Sequence, residues 1–295
     1  MATISGGTTQ EKYRFLKSYV GSLTITGLCV YLKVSRSGYY DWLNRKPSNR
    51  LVSDEKLFRH IKAIYQKSRG AYGSPRIHEK LKQQGVHVGR KRVARLMNSS
   101  GLKARFATVY RRSPKTFEAN HIEDNKRLTR EKPTAINQQW SADLTYLRLG
   151  KQWVYLVAIL DLYSRRIVGW SLGKEKNRHL VMKAFLLAVR KRKPGPGLLF
   201  HTDRGSEFVS FKIKHALDKW EIDRSMSRPY KSIDNAEMES FFQKLKGEYL
   251  EGKHYSSMKQ LRKDIASYVN LFYNKARLHS SLGYVSPMEF EARQA

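Results

Sequence analysis

The most constraining feature of the sequence is a β-rich stretch at residues 140–172, which follows a largely helical pattern. The segment WSADLTYLRL alternates apolar and polar residues, and WVYLVAILDLYSRRIVGWSL supplies two further apolar runs around a turn at Asp161–Arg166. Alternation with period two is typical of strands, and a polar turn between two apolar runs favours antiparallel pairing. The sequence therefore predicts three consecutive antiparallel strands.

Downstream of these strands the pattern alternates helices with short strands. The segment Asn177–Arg192 has an apolar helical face and ends at the breaker PGPG. A strand at 198–200, a helix at Ser206–Trp220 and a strand at 222–227 follow, and a last helix begins near Asp234. This order predicts an α/β fold in which a mixed sheet is flanked by helices.

The first third of the chain is predicted to be helical. Residues 11–44 carry short apolar runs, and Ser35 or Ser37 is suited to cap a third helix. Residues 54–102 repeat the theme, with one helix starting at Ser74-Pro75. Short helices joined by tight turns are typical of helix-turn-helix modules. The apolar residues predicted to form the helical faces of the first module are Tyr13, Leu16, Tyr19, Val20, Leu23, Leu28, Val30, Tyr31 and Leu32.

The segment RKRVARLM, residues 90–97, has the charge pattern of a DNA-recognition helix. Val93, Leu96 and Met97 are predicted to pack inward. The opposite face then carries four basic residues, Arg90, Lys91, Arg92 and Arg95. A solvated basic face is the plain alternative. The total charge of the chain favours DNA, contacted mostly through its phosphates rather than its base edges.

That total charge is strongly positive. The chain has 57 Lys and Arg residues against 25 Asp and Glu residues, which gives a formal net charge of +32. Such a field destabilises a compact chain through self-repulsion, so a polyanionic partner is the natural explanation. Nucleic acid is favoured over a membrane surface, and a ribosomal or generically basic protein is the other alternative.

Changes in pattern divide the chain into five segments. We predict a flexible leader at 1–10, a helix-turn-helix module at 11–50, a second DNA-binding module of that kind at 51–102, a basic linker at 103–135, and an α/β domain with a C-terminal helical extension at 136–295. The linker is poor in apolar residues, and residues 103–132 contain nine Lys or Arg against four Asp or Glu.

Several classes of protein are disfavoured by what the sequence lacks. Cys29 is the one cysteine and lies in an apolar run, so it is predicted to be a small buried residue. No intrachain disulfide is possible, and no Cys and His residues have zinc-ligand spacing. No apolar run approaches the ~20 residues of a membrane span, and the start MATISGGTTQ lacks signal-peptide features. We expect an intracellular, reduced protein.

Three acidic residues lie where a carboxylate would point from a rigid element. Asp143 is on the first strand, Asp203 lies just past the fourth strand, and Glu239 is on the last predicted helix. We hypothesise that they converge to hold two divalent metal ions that cut and rejoin DNA. Two such ions about 3.5–4 Å apart activate the attacking oxygen and stabilise the leaving one. No EF-hand loop, Walker-type phosphate loop or zinc-hydrolase helix motif competes for the role.

The third acid requires a choice between Glu237 and Glu239. With about 100° per residue, Met238, Phe241, Phe242, Leu245 and Tyr249 form a buried stripe. Glu239 and Lys246 then fall within about 20° of each other on one flank, and Glu237 falls on the other. Glu237 also follows Asp234 by three residues, which predicts a capping box. We therefore choose Glu239, with Lys246 as a candidate phosphate ligand; a solvated helix lysine is the alternative.

Three other polar residues are weaker candidates. Asp161 is predicted to be a turn residue, and Glu207 to lie in the first turn of its helix. His201 is either a partner of Asp203 or a packed strand histidine.

Taken together, these stretches resemble the DDE transposases of bacterial insertion sequences, specifically the OrfB-type product of the insertion-sequence-three family, and more distantly retroviral integrase cores. The matching motifs of the α/β part are WSADLTYL, LDLYSRRIVGW, HTDRGSEF, SMSR, DNAEMESFFQKLKGE and FYNKARLHSSLGYVSPMEF. SRSGYYDW, YGSPRIHEKL and KRVARLM match the paired helix-turn-helix region. The resemblance covers nearly the whole chain after the leader.

The resemblance implies an RNase H-like integrase catalytic domain at 136–295, with Asp143, Asp203 and Glu239 as the acid triad and metal ligands and Lys246 as the associated basic residue. It implies Mg²⁺ or Mn²⁺, cleavage of double-stranded DNA at terminal inverted repeats, and joining to target DNA through a liberated 3′-hydroxyl. It also implies a homo-oligomer that pairs two DNA ends, acting in the bacterial cytoplasm and associated with the nucleoid on DNA.

This sequence departs from the family pattern in places. The loop RPYKSIDN lacks a frequent glycine, Leu278 stands where proline is common, and Glu207 replaces a frequent glutamine. Full-length transposases of this family often gain, by frameshifting, an upstream region with a leucine-zipper helix. No such heptads are present here, so the resemblance implies an upstream-frame partner protein. Two other functions stay open: a DNA-binding partner or repressor without catalysis, and an RNase H-like nuclease that cleaves RNA–DNA hybrids.

Overall fold

The computed structural model describes residues 6–105, 123–229 and 231–294. Backbone contacts divide the chain into two compact units, Met1–Arg59 and His60–Ala295. The start of the predicted leader and the middle of the predicted linker, residues 106–122, lie outside the described residues, as does Tyr230 of the RPYKSIDN loop.

The first unit contains three short helices, as predicted: α1 (Thr9–Ser18), α2 (Ile25–Tyr31) and α3 (Arg36–Asn44). A fourth helix, α4 (Asn49–Lys67), crosses the division between the units. Ser35 caps α3 by accepting a hydrogen bond from the Gly38 N–H, 3.2 Å away. The core of this unit consists of Tyr13, Leu16, Leu28, Cys29, Leu32 and Tyr39.

Part of the predicted apolar face is wrong. Val20 is 98 % exposed and Leu23 is 52 % exposed, because α1 has ended before both of them. Val30 and Tyr31 lie on α2 but are also exposed. At the other end, α1 begins at Thr9, inside the stretch predicted as leader, and Thr8 and Glu11 form a capping box there.

The second helical module comprises α5 (Ser74–Gln83) and α6 (Arg90–Ser99), packed with the end of α4. Its buried residues include Ile61, Ile77 and Leu81 and, as predicted, Val93, Leu96 and Met97. Helix α5 starts at Ser74 as predicted, but Gly73 is its N-cap and no side chain caps it. Pro75 fits the first turn because its missing N–H has no helical acceptor there.

The sheet has five strands in the order β3-β2-β1-β4-β5. These are β1 (Gln139–Leu149), β2 (Gln152–Asp161), β3 (Ile167–Gly173), β4 (Leu199–Thr202) and β5 (Asp223–Met226). The first three strands pair antiparallel, whereas β4 and β5 are parallel to β1. The predicted mixed sheet is therefore confirmed.

One face of the sheet is covered by helix α7 (Arg178–Arg192), followed along the chain by α8 (Ser206–Val209) and α9 (Phe211–Lys219). Trp140, Ala142 and Phe200 of the strands pack against Phe185 and its neighbours on α7. A Cβ at Gly169 of β3 would collide with the Ala184 carbonyl, so α7 approaches the strand closely. The prediction of one helix from Ser206 to Trp220 is wrong, because the extended backbone of Ser210 interrupts it.

The C-terminal part follows a 3₁₀ turn (Ser232–Asn235) and begins with α10 (Ala236–Lys244), which continues as a π-helical segment (Leu245–Leu250). Helix α11 (Met258–Ala266), a second π-helical segment (Ser267–Tyr273), a 3₁₀ turn (Ser280–Leu282) and α12 (Pro287–Gln294) complete it. The predicted stripe Met238, Phe241, Phe242, Leu245 and Tyr249 is buried. None of the helices in the described part of the chain has the length and apolar character needed to cross a membrane.

A buried ion pair links the π-helical segment after α10 to the C-terminal extension. Arg277 Nε donates to Glu248 Oε2 at 2.7 Å, and Arg277 Nη2 donates to Glu248 Oε1. Asn274 binds both the N–H and the carbonyl of Ile167 at the start of β3. Glu291 of α12 pairs with Arg166 and Arg192. The extension is therefore fastened to the sheet by polar groups.

Helix α5 is held to the same extension through main-chain atoms. The Tyr72 hydroxyl, just before α5, donates to the Ala276 carbonyl at 3.1 Å and accepts from the Leu278 N–H at 2.8 Å. Arg76 Nε donates to the Leu278 carbonyl at 3.0 Å. A proline at position 278 has no N–H, so the departure from the family pattern at Leu278 provides one of these hydrogen bonds.

Candidate active site

Asp143 lies on β1, and Asp203 directly follows the end of β4, the strand that pairs parallel with β1. The register of β1 and β4 pairs Trp140 with Phe200 and Ser141 with His201. Extending that register by two residues brings Asp143 opposite Asp203, the residue that follows β4. Asp143 is 5 % exposed, and its Oδ1 accepts the Leu144 N–H at 2.7 Å. The register thus brings the backbone positions of two predicted site residues side by side.

Glu239 is carried by α10, which is fixed to β1 beside Asp143. The Asn235 side chain donates from Nδ2 to the Ala142 carbonyl at 3.1 Å and accepts from the Ser141 hydroxyl at 2.5 Å. Glu239 follows Asn235 by four residues, so it lies on the same side of the helix, ~6 Å along it. Asp143 lies one residue beyond Ala142, ~3 Å along the strand.

Lys246 provides a second tie between this helix and β1. Its Nζ lies 4.8 Å from the centroid of the Tyr146 ring, three residues beyond Asp143 on the strand. The helix is therefore held to β1 on both sides of the level of Asp143, at Asn235 and at Lys246. Glu239 lies between Asn235 and Lys246 along the chain, so it belongs to the segment that these two contacts join to β1.

Glu237 has a different environment. Its Oε1 pairs with Arg127 at 2.6 Å and with Arg165 at 3.2 Å. Burial alone would raise the pKa of the Glu237 carboxyl, but these arginines hold the pKa below its ordinary value. The predicted capping box with Asp234 is wrong, because Asn235 is the N-cap of α10 and no side chain caps that helix.

Asp234 instead holds the loop that precedes α10. Its Oδ1 accepts from Arg228 Nη2 at 2.9 Å and its Oδ2 accepts from Asn125 at 2.8 Å. The hydrogen bonds from Arg228 lower the pKa of Asp234 to about 2. Arg127 donates to the Asp234 carbonyl at 2.6 Å as well as pairing with Glu237. Asn125 and Arg127, from the predicted linker, thus brace the start of the helix that carries Glu239.

Glu207 is a fourth acid beside Asp203. A Cβ at Gly205 would lie 2.8 Å from Glu207 Oε1 and 3.0 Å from Asp203 Oδ1, so the two carboxylates border the same small space. Glu207 is buried in the first turn of α8, as predicted, and its Oε2 pairs with Lys176 at 3.3 Å. The family pattern frequently has an uncharged glutamine at position 207, and the Lys176 ammonium compensates the negative charge that Glu207 adds there.

His201 is a packed strand histidine, the second of its two predicted alternatives. It is 1 % exposed, and its two ring nitrogens hydrogen bond to Ser225 at 2.9 Å and Ser227 at 3.1 Å. Burial lowers its pKa to about 4, so the ring is neutral at neutral pH. Asp161 is a turn residue as predicted, since it accepts the N–H groups of Tyr163 and Ser164.

The basic face of α6 is present as predicted. Arg90, Lys91 and Arg95 are exposed and Arg92 is partly exposed, opposite the buried face of the helix. A cationic helix face after a turn is suited to phosphate contacts on DNA.

The donor atoms at the acid site suit a hard divalent cation. Carboxylate oxygens are the ligands that Mg²⁺ prefers, and Mg²⁺ retains several waters, so it needs only one or two carboxylates. In the described ranges, no three His, Cys, Asp or Glu side chains are grouped closely enough to enclose one ion.

The sequence reasoning missed Asn235, whose carboxamide sets the position of α10. A signal was available, because Asn235 lies one helical turn before Glu239 and so shares its side of the helix. It also missed Arg127, which lies in a segment interpreted as linker.

The order of the five-stranded mixed sheet, its flanking helices and the preceding helical modules define an RNase H-like core joined to helix-turn-helix-like modules. The integrase core domain family matches residues 133–232 and again 221–287, and an HTH-like domain family matches residues 53–110. The chain is 36 % identical over 269 residues to the insertion element IS600 uncharacterized 31 kDa protein of Shigella sonnei, covering 90 % of this chain and 98 % of that one.

It is 32 % identical over 286 residues to the transposase InsF for insertion sequence IS3A of Escherichia coli strain K12, covering 95 % of this chain and 98 % of that one. The chain belongs to the IS3 family of insertion-sequence transposases. Among solved structures, the HTLV-2 integrase catalytic core domain in complex with magnesium is 18 % identical, covers 54 % of this chain and 98 % of that one, and has a TM-score of 0.41.

Proposed function

We propose that Asp143, Asp203 and Glu239 are the catalytic acids of this DNA transposase, a polynucleotidyl transferase that cleaves DNA at the ends of its element and joins the liberated 3′-hydroxyl to target DNA. The observation that carries the proposal is the pair of ties from α10 to β1, at Asn235 and Lys246, which bracket the level of Asp143.

The three acids would hold two divalent ions, Mg²⁺ or Mn²⁺, and these ions would supply charge stabilisation to the attacking and leaving oxygens of an in-line displacement. Asp143 is on β1, the strand that pairs with β4 and that binds Asn235 of the helix start, so its carboxylate would be the one to serve both ions. Asn235 keeps Glu239 on the β1 side of α10. Glu237 pairs with Arg127 and Arg165, so it would hold the helix in position and would not bind an ion.

We assign the DNA contacts from the positive charge of the side chains and from their positions in the fold. Lys246 would bind a substrate phosphate next to Glu239. Arg90, Lys91, Arg92 and Arg95 on α6 would bind phosphates of the terminal inverted repeat. We also propose a homo-oligomer that pairs two ends, an upstream-frame partner protein, and action in the bacterial cytoplasm with nucleoid association on DNA.

The test replaces each acid by its amide: Asp143→Asn, Asp203→Asn and Glu239→Gln, with Glu237→Gln as the matched control two residues away. Each protein is incubated with end-bearing duplex DNA and Mg²⁺ or Mn²⁺, and nicking, strand transfer and binding are measured. Loss of both reactions with retained binding is expected for the three variants, whereas Glu237→Gln keeps measurable activity.

Full activity in any of the three amide variants would refute the assignment. Wild-type binding without nicking would indicate a DNA-binding protein without catalysis. Cleavage confined to RNA–DNA hybrids would indicate a nuclease.

A further inference from the structure

Two large aromatic side chains are exposed together at the end of the β1–β2 hairpin. Tyr146 is 50 % exposed and Trp153 is 47 % exposed. Their ring centroids are 5.0 Å apart and the rings stand at 85° to each other. Two adjacent aromatic side chains, each about half exposed, are a frequent feature of binding sites.

Each ring is paired with a cation. Arg148 Cζ lies 4.2 Å from the Trp153 ring centroid, and Lys246 Nζ lies 4.8 Å from that of Tyr146. Arg148 also donates from Nη1 to the Lys151 carbonyl at 3.2 Å, which orients its guanidinium. We call Tyr146, Trp153, Arg148 and Lys246 the aromatic platform.

The platform adjoins the acid site across an edge of the sheet. Strand β4 pairs with β1 only at Gln139–Ser141, and within the described ranges no strand pairs with that edge of β1 beyond this point. Tyr146 lies three residues past Asp143, ~10 Å along the strand, and points to the opposite face. Lys246 follows Glu239 on the same helix and reaches the Tyr146 ring, so it connects the two places.

We propose that the aromatic platform binds an unpaired nucleobase of the DNA strand that passes the acid site. Aromatic rings interleaved with cations are the combination that holds single-stranded nucleic acid, because every base offers a π-face and every nucleotide a negative phosphate. A base inside an intact duplex has no free face to stack. The inference rests on the proposed function, since it specifies which part of the DNA substrate lies beside the acids.

A purely structural role is the competing explanation. Arg148 and Trp153 are directly opposite each other in the β1–β2 register, and such cross-strand pairs stabilise hairpins. That role predicts effects on folding and none on the choice between paired and unpaired DNA, so binding measurements separate the two explanations.

The experiment compares two duplex probes of equal length. One is fully paired and the other has several unpaired nucleotides at one end, labelled there with 2-aminopurine. Binding is measured in EDTA, so cleavage does not enter. We expect Trp153→Ala to weaken binding of the unpaired probe roughly five- to hundredfold, as for loss of one stacked base, with little change for the paired probe.

Three comparisons sharpen the result. Trp220→Ala removes another exposed tryptophan, 39 % exposed at the end of α9, and should leave both affinities unchanged. The salt dependence of binding should be unaltered in Trp153→Ala, because stacking releases no counterions, and should become shallower in Arg148→Ala. Trp153→Phe should retain most of the preference for the unpaired probe.

Equal losses on the two probes, or no loss on either, would overturn the proposal. If Trp153→Ala does not fold, the test uses the milder variants Trp220→Phe and Trp153→Phe. The unpaired probe should quench the tryptophan fluorescence of Trp220→Phe, which retains Trp153, but not that of Trp153→Phe. The opposite result refutes stacking on Trp153. Failure of the acid triad would be seen instead as cleavage by the amide variants, which does not bear on these affinities.

Discussion

Replacing Arg277 by methionine should destabilise the catalytic unit far more than replacing an exposed arginine. Arg277 is 1 % exposed and Glu248 is 7 % exposed. The substitution removes two charge-assisted hydrogen bonds to the Glu248 carboxylate and leaves it, among the described residues, one side-chain hydrogen bond, from the Tyr268 hydroxyl 3.3 Å away. Two such bonds contribute about 1.5–3 kcal/mol each. The loss of both bonds would therefore cost about 3–6 kcal/mol. This agrees with the cost of about 3–5 kcal/mol for a buried charge that loses its partner.

The measurement is urea unfolding followed by circular dichroism, with thermal melting as a second probe. A loss of about 3–5 kcal/mol corresponds to a fall in Tm of roughly 6–20 °C for a unit of this size. The matched control is Arg293→Met, which breaks the exposed pair with Glu289 on α12. That change should cost less than about 1 kcal/mol.

The double variant Arg277→Met/Glu248→Leu separates burial of an unpaired charge from loss of packing. Once the carboxylate is removed, the remaining cost is that of two apolar replacements, so the double variant should recover at least about 2 kcal/mol of the loss. A double variant as unstable as Arg277→Met, or a single-variant loss below about 1 kcal/mol, would refute the reasoning.

Three further predictions concern α10, α6 and Lys244. Asn235→Ala should reduce the rate of DNA cleavage by on the order of 10²-fold with DNA binding unchanged, because Glu239 loses the tie that positions it; single-turnover cleavage and gel-shift assays measure the two effects. Each basic residue of the α6 face, replaced singly by alanine, should lower the salt slope of DNA binding by about one without changing sequence preference, as titrated in rising KCl. Burial lowers the pKa of Lys244 to about 8 from 10.5, so the unfolded chain binds more protons between these values. The free energy of unfolding should therefore rise from pH 8 toward pH 10.5 in wild type, and less steeply in Lys244→Met.

The strands and helices whose burial follows a simple period were predictable from the sequence. Strands β1, β2 and β3 lie where alternation and the Asp161–Arg166 turn predict them. The helical period around Met238 also separated Glu239 from Glu237, and the structure gives Glu237 its own arginine partners. These features depend on neighbours within a turn or a hairpin, which a sequence displays directly.

Features that depend on distant partners were not predictable in this way. Arg277 and Glu248 are charged residues of a kind usually exposed, and each is buried only because the other compensates it across 29 positions. Likewise, Val20 and Leu23 fit an apolar stripe, yet the helix that would bury them has already ended. The position of Asp143 opposite Asp203 likewise follows from the register between β1 and β4, two strands that are distant in the sequence.

The hydrogen bonds that hold α5 to main-chain atoms of the C-terminal extension have a consequence for how transposases of this family can diverge in sequence. The carbonyls of Ala276, Leu278 and Tyr284 that accept hydrogen bonds from Tyr72, Arg76 and Gln83 would be offered by any residue type. These three contacts therefore persist when the side chains at positions 276, 278 and 284 change. A helix pair that carries the three donors would therefore dock on the catalytic unit of a relative whose C-terminal side chains differ.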